Sequence, residues 1–256
     1  GDVAKEFGAK YIPDIERNEL GTPLMSSGFQ LAEKHGSHDL LCYVNADIIL
    51  TSDFIAAVQR VKEKTNWFLM TARRWNLDLV ESLDFSDRWE ADLHQKVAKE
   101  GWVRQAPEVD FWVFPKGMLN DMPPLAVGRP SVECWSFYKA RQMNGDLIDA
   151  TKAVKSVHQN HDYSHSGGLI NNGTGVEAKR NRNLVGGRQY FFSIKDRTHV
   201  LTKEGLGRVH DHWSIWRTFR TSPVLHPCMP LPVRLPAVLL NSALDSSIDM
   251  LKKLRN

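Results

Sequence analysis

The densest group of chemistry-bearing side chains is His158-Gln159-Asn160-His161-Asp162-Tyr163-Ser164-His165, three histidines and an aspartate within eight residues. His158 and His161 are three apart, and His161 and His165 four apart. On a helix either spacing lets two imidazoles chelate a transition metal. Asn160, Asp162 and Ser164 favour a loop instead, and no HExxH pattern is present. The string reads either as loop-ordering hydrogen bonds, or as His158 or His161 serving as a metal or phosphate ligand while its neighbours order the loop. A second feature is Asn45-Ala46-Asp47, which interrupts the apolar run Leu40–Leu50 (LLCYVNADIIL). That run predicts a central strand buried on both faces. A carboxylate at the end of such a strand is costly unless it is paired, hydrogen-bonded or bound to a cation. Ligands of open α/β sheets bind at the carboxyl ends of the strands. Asp47 is therefore expected to hold a divalent metal, and the metal a diphosphate. An isolated Asp at the start of such a loop is more often a cap or a turn former.

Glu133 lies between Gly128-Arg129-Pro130 and Trp135. A carboxylate beside a Trp at the mouth of a helix could have a raised pKa and act as a general base, or could simply favour the helix dipole from the first turn. Arg73-Arg74 and Arg129 offer planar forks of donors that suit phosphate, with surface solvation as the plainer reading. Eight Trp are many for this length, and fit either a cleft that stacks sugars or bases or a set of large core residues.

The elements that must position these groups alternate between strand and helix. Helices are expected at Asp2–Phe7, Ser26–Lys34, Phe54–Lys64, Asp84–Lys99, Val132–Arg141 and Glu177–Leu184. Beyond the central run, strands are expected at Ala9–Ile12, Trp67–Ala72, Glu108–Phe114, Asp146–Ala150 and Val154–Val157, with short ones at Tyr190–Ile194 and Thr198–Leu201. Gly167–Gly175 reads as a flexible loop. After Gly207 the composition shifts: Pro223, Pro227, Pro230, Pro232 and Pro236 predict a linker or wrapping arm, followed by a terminal helix over Ala237–Leu254. The chain thus divides into a domain over 1–207 and an arm with a C-terminal helix over 208–256. That helix could pack on the domain, form a homo-oligomer contact or rest on an anionic membrane surface. Its stripe of Leu239, Leu240, Leu244, Ile248 and Leu251 favours packing.

The chain of 256 residues is long enough for one large α/β domain with an extension, and its 42% apolar and 25% charged residues are ordinary for a soluble globular protein. A net charge of +3 argues against a nucleic-acid partner, which calls for a dense basic stripe. Cys42, Cys134 and Cys228 are far apart, without CxxC spacing, and fit a reducing compartment better than disulfides or a zinc site. With no signal peptide and no apolar run of about 18 residues, a cytoplasmic protein is expected, touching a membrane at most from outside. The opening Gly1-Asp2-Val3 suggests a fragment or a processed chain.

The strings NELGTPL, LLCYVNADIIL, FLMTARRW, DFWVFPKG, PPLAVGRPSVECW, DATKAV and VHQNHDYSH, in that order, closely resemble a group of bacterial glycosyltransferase-like proteins with the GT-A nucleotide-sugar-binding fold. The resemblance runs from about Asp2 to Gly207. It implies an α/β, Rossmann-like mixed central sheet flanked by helices, a nucleotide-sugar donor, Mn or Mg on the diphosphate, and a glycan or glycolipid acceptor. Asn-Ala-Asp corresponds to a DxD motif whose first acid is Asn. By position, the resemblance makes Asp47 the metal ligand, with His158 or His161 as a late metal or phosphate ligand. Asn45 would meet the ribose or a metal-bound water, with Arg73 and Arg129 near the donor. Asp110, Trp112 and Trp135 would face acceptor or sugar, and Glu133 would be the base of an inverting enzyme. Two departures stand out. Glu133-Cys134-Trp135 replaces an Asp-Asn-Trp, and the strand–helix unit that opens a GT-A fold is not in this sequence. The competing expectations are a non-catalytic carbohydrate-binding or scaffold module of the same fold, and a metal hydrolase built on the His cluster.

Overall fold

The computed structural model describes residues 1–103, 108–161 and 174–255. Its helices are α1 (Asp2–Glu6), α2 (Met25–His35), α3 (Ser52–Lys62), α4 (Trp89–Glu100), α5 (Val132–Gln142), α6 (Val176–Val185), α7 (His212–Leu225) and α8 (Leu231–Arg255). Its strands are β1 (Leu40–Val44), β2 (Ile48–Ile49), β3 (Phe68–Thr71), β4 (Arg74–Leu77), β5 (Phe111–Pro115), β6 (Asp146–Asp149), β7 (Ser156–Gln159), β8 (His199–Leu201) and β9 (Leu206–Arg208).

The fold is α/β with a mixed central sheet flanked by helices. Six strands lie in the order β1-β5-β3-β6-β8-β9, and a smaller sheet has the order β2-β7-β4. In the large sheet β3 pairs in parallel with β6, and β6 with β8, while β5 runs antiparallel to both β1 and β3. Strand alternation sorts the apolar residues into two layers. Phe68 and Met70 of β3, with Phe111 and Val113 of β5, face Ala57 and Val61 of α3. Leu69, Trp112 and Phe114 face the other way, toward Met25 and Phe29 of α2 and Trp135 and Phe137 of α5. A third cluster joins Leu93 and Val97 of α4 to Leu77 and Val157 of the small sheet.

Three strands of the large sheet each lead straight into a strand of the small one: β1 into β2, β3 into β4 and β6 into β7. Their carboxyl ends therefore gather at one edge of the fold. Because β5 is antiparallel, it starts at that same edge.

Several expectations need correction. Leu40–Leu50 is not one central strand. Asn45-Ala46-Asp47 turns the chain, with the Ile48 amide donating to the Asn45 carbonyl, and splits the run between two sheets. β1 is an edge strand, and its residues are half-buried or exposed. Ala9–Ile12 is irregular, and the segment at 188–196 forms two 3-10 turns, Arg188–Tyr190 and Ile194–Asp196, rather than a strand. The proline-rich stretch is largely helical. Pro232 falls in the first turn of α8, where a missing N–H costs little, and Pro223 sits near the end of α7. The stripe expected to pack along the last helix is divided, because Leu239 points to solvent while Leu240 and Leu244 are half-buried. Gly167–Gly173 and the histidine string after His161 lie outside the described residues.

Candidate functional site

At the edge where the strands converge lies a cavity of about 410 Å³. Its walls bring together Asn45, Asp47, Asp110, Trp112, Arg129, Glu133, His158 and His161 from the expected set. Tyr43, Arg74 and Glu108 line it as well.

One wall is a carboxylate held by two imidazoles. The β2–β7 pairing sets Ile48 opposite His158, and the Gln159 amide donates to the Asp47 carbonyl, so Asp47 is pinned beside β7. Asp47 Oδ2 lies 3.3 Å from His158 Nε2 and 3.0 Å from His161 Nε2. Hydrogen bonding from His158, reinforced by His161, outweighs burial and holds the Asp47 carboxyl down at about 2. His158 is 1% exposed and His161 about a third. The ligand atoms of the three residues lie within 4.8 Å of one another, close enough to share one ion. Asp47 Oδ1 is buried and has no hydrogen-bond partner among the described residues. That orphan acceptor fits a cation, since a buried polar atom without a partner is costly. Two imidazoles and a carboxylate suit a first-row transition ion such as Zn or Fe better than Mg, which prefers oxygen alone.

A second wall is a hydrogen-bonded chain along β1 and β5. Tyr43 Oη donates to Asn45 Oδ1 at 2.6 Å, and Asn45 Nδ2 donates to Asp110 Oδ1 at 2.8 Å. Arg74 grips Asp110 and Glu108, each at 3.0 Å. Burial nonetheless raises the Asp110 carboxyl above its usual range, against the pull of Arg74. Tyr43 stacks on Trp112 with ring centroids 4.6 Å apart, giving the cavity a flat aromatic wall.

Glu133 sits in the first turn of α5. The residue before that helix, Ser131, is 3% exposed and left-handed at φ 87°, an unusual conformation for a residue with a Cβ. It turns the chain out of the Gly128-Arg129-Pro130 loop and into the helix, which brings Glu133 to the cavity. Burial raises the Glu133 carboxyl above its ordinary value, and the neighbouring Asp110 adds to the effect.

Not every expected residue belongs to this site. Arg129 lines the cavity but is tied to Glu177, with Nε and Nη2 at 2.9 and 2.8 Å from the carboxylate. Trp135 is a core residue packed with Phe137 and Trp112 rather than a lining one. Arg73 does not line the cavity and Arg74 takes its place, because neighbouring residues at the start of a strand point to opposite faces. Sequence reasoning missed Glu108 and Tyr43. Each stands two residues before a residue that was singled out, Asp110 and Asn45, and two is the spacing that keeps strand residues on one face.

The cavity thus carries four carboxylates, Asp47, Glu108, Asp110 and Glu133, against Arg74 and Arg129. Such a site can hold a cation on Asp47, His158 and His161, and can accept a proton on Glu133. No family model matches this chain, and neither a curated protein nor a solved structure matches it.

Proposed function

We propose that the protein is a metal-dependent glycosyltransferase of the GT-A type, moving a sugar from a nucleotide-sugar donor to an acceptor hydroxyl with inversion. The observation that carries this reading is the pairing, in one cavity, of the Asp47–His158–His161 cluster with a half-buried Glu133 whose carboxyl is raised. The order of the motifs along the sequence, and their resemblance to GT-A proteins, supports it.

Asp47, His158 and His161 would hold a divalent ion, Mn by the resemblance to GT-A proteins. When bound, such an ion neutralises a diphosphate and eases its departure. The excess of carboxylates over arginines in the cavity suits a cation there, because it would repel a bare diphosphate. Arg74 and Arg129 are committed to carboxylates, so phosphate recognition does not fall to them. Glu133 takes the proton of the acceptor hydroxyl, a role that a raised pKa serves near neutral pH. The Asn45–Asp110–Arg74 chain holds the floor of the cavity rigid, and the Tyr43–Trp112 stack offers a flat face to a sugar ring.

Thermal stabilisation by a panel of nucleoside diphosphates, each with and without Mn, tests the proposal. The expected result is stabilisation by one nucleotide only when Mn is present, together with donor hydrolysis that is lost in Glu133→Gln. Tight zinc binding with no nucleotide dependence would replace the reading by a hydrolase built on the two histidines. Sugar binding without any turnover would replace it by a non-catalytic module.

A further inference from the structure

The amphipathicity of α7 runs opposite to that of a helix covering a core. At 3.6 residues per turn, Ser214, Arg217, Thr221 and Leu225 form its inward stripe. Arg217 pairs with Asp196, and the Thr221 hydroxyl donates to the Arg217 carbonyl. The arc turned to solvent carries Trp213, Ile215, Trp216 and Phe219, which are 40–61% exposed. The first turns of α8 repeat the arrangement. Ala237 is buried, and the Asn241 side chain accepts from Arg220 Nε and donates to the Arg220 carbonyl, joining the two helices. Leu231, Leu235, Val238 and Leu239 face outward and are exposed. Soluble surfaces rarely leave so many large apolar side chains uncovered unless something binds them.

Charge narrows the partner. From His212 to Leu244 there is no Asp or Glu, in a chain with 30 acidic residues, while half-buried Arg220 and Arg234 fall in the same stretch. A second copy of this hairpin would set arginines against arginines, whereas an anionic surface complements them. Tryptophan is the residue enriched where hydrocarbon meets polar headgroups. Among the described residues no helix is long and apolar enough to cross a membrane, so contact would be in the plane of the surface. We propose that the α7–α8 hairpin docks the protein on an anionic membrane, with Trp213, Trp216, Phe219 and the outer leucines of α8 inserted at the headgroup boundary. This surface is independent of how the cavity is read, since docking needs neither donor nor metal.

Flotation of the full chain with phosphatidylcholine vesicles, with and without phosphatidylserine, tests it. Binding is expected only with phosphatidylserine, and is expected to weaken as salt rises. The variant Trp213→Ser, Trp216→Ser, Leu235→Ser, Leu239→Ser is expected to lose binding roughly tenfold or more while keeping the wild-type melting temperature, because all four side chains are exposed. Trp216→Ser with Leu239→Ser is a milder arm expected to shift in the same direction should the fourfold variant fail to fold. Absent binding, equal binding to both vesicle types, or unchanged binding of a folded variant would overturn the proposal. So would sedimentation in which these substitutions dissolve a dimer and leave vesicle binding untouched.

Discussion

Asp47 is held by two histidines of unequal burial, and the difference sets a first expectation. His158 is enclosed and fixed in β7, while His161 sits at the rim. Losing even an outer partner of a metal ligand typically costs roughly 10–100-fold in affinity, and losing the ligand itself should cost at least that. His158→Ala is therefore expected to weaken Mn binding by roughly a hundredfold, and His161→Ala by less, as read from the free-ion signal in Mn titrations. Equal effects would show that burial does not rank the two ligands. Glu133 carries a second expectation. A carboxyl raised above its ordinary value stays protonated to higher pH, so a base of this kind works only above that shifted pKa. The acid limb of kcat/KM against pH should then lie above the usual carboxylate range. Glu133→Gln should lower kcat by roughly 10²–10⁴-fold while nucleotide and Mn still stabilise the fold. Much of the site could be read from the sequence at this scale: Asn45 and Asp47 interrupt an apolar run, His158 and His161 belong to a histidine-rich string and Glu133 stands beside Trp135, whereas Asp110 was implied by the resemblance alone. What could not be read was facing: choosing Arg74 over Arg73 requires the strand register that tertiary pairing alone supplies.

Two connections position these residues, and each makes a test of its element. Ser131 is left-handed at the mouth of α5, a conformation in which a Cβ costs about 1–2 kcal/mol. Ser131→Gly is expected to stabilise the fold by up to about 1 kcal/mol in urea unfolding, since the glycine's greater freedom when unfolded offsets part of the relief. A loss of stability would mean that the Ser131 side chain matters more than its backbone strain. The second connection is Glu177 of α6, which accepts from Asn18 Nδ2 at 2.6 Å and from Arg129, and so joins the N-terminal segment, the Gly128-Arg129-Pro130 loop and α6. Although burial works against it, hydrogen bonds from Thr22, Asn18 and Arg129 hold its carboxyl below the ordinary value. A lowered folded pKa contributes stability above the unfolded value, and that stability is lost as pH falls through the folded one. Glu177→Gln should therefore cost about 1–2 kcal/mol at neutral pH and progressively less as pH falls below 4.5, the carboxyl's ordinary value. The elements themselves were legible wherever periodicity was strong, as in α2, α3, α5, α6, β3 and β6. β4 was hidden because Arg74-Trp75-Asn76-Leu77 lacks a clean alternation, although Arg74 and Asn76 are buried by partners rather than by hydrophobicity. α7 and the start of α8 were hidden because prolines signal loops, yet a proline in a first turn, as at Pro232, leaves a helix intact, and here Pro223 and Pro236 are accommodated inside the helices.

At the scale of the whole molecule, the sheet ends on a strand whose sequence looks central. β1 pairs only with β5 among the described residues. The amide of Asn45 donates to Asp110 and that of Lys116 to Asp39. By antiparallel alternation, Tyr43 and Leu41 also turn their backbone groups toward β5, while Leu40, Cys42 and Val44 turn theirs away. An apolar strand with outward N–H and C=O groups is a template for another strand, and proteins commonly blunt such edges with lysine. Cys42 is the exposed residue at the middle of this edge. Cys42→Lys places a charge there without disturbing the layer that Leu41 and Tyr43 pack against. It should change folding stability by no more than about 0.5 kcal/mol and should suppress concentration-dependent association during refolding, followed by light scattering under reducing conditions. Because the thiol is lost too, Cys42→Ser is the control, and it should associate as the wild type does. If Cys42→Ser suppresses association equally, disulfide chemistry explains it and the edge does not. If neither variant changes it, association belongs to the exposed apolar faces of α7 and α8, and the vesicle-binding variants should abolish it instead.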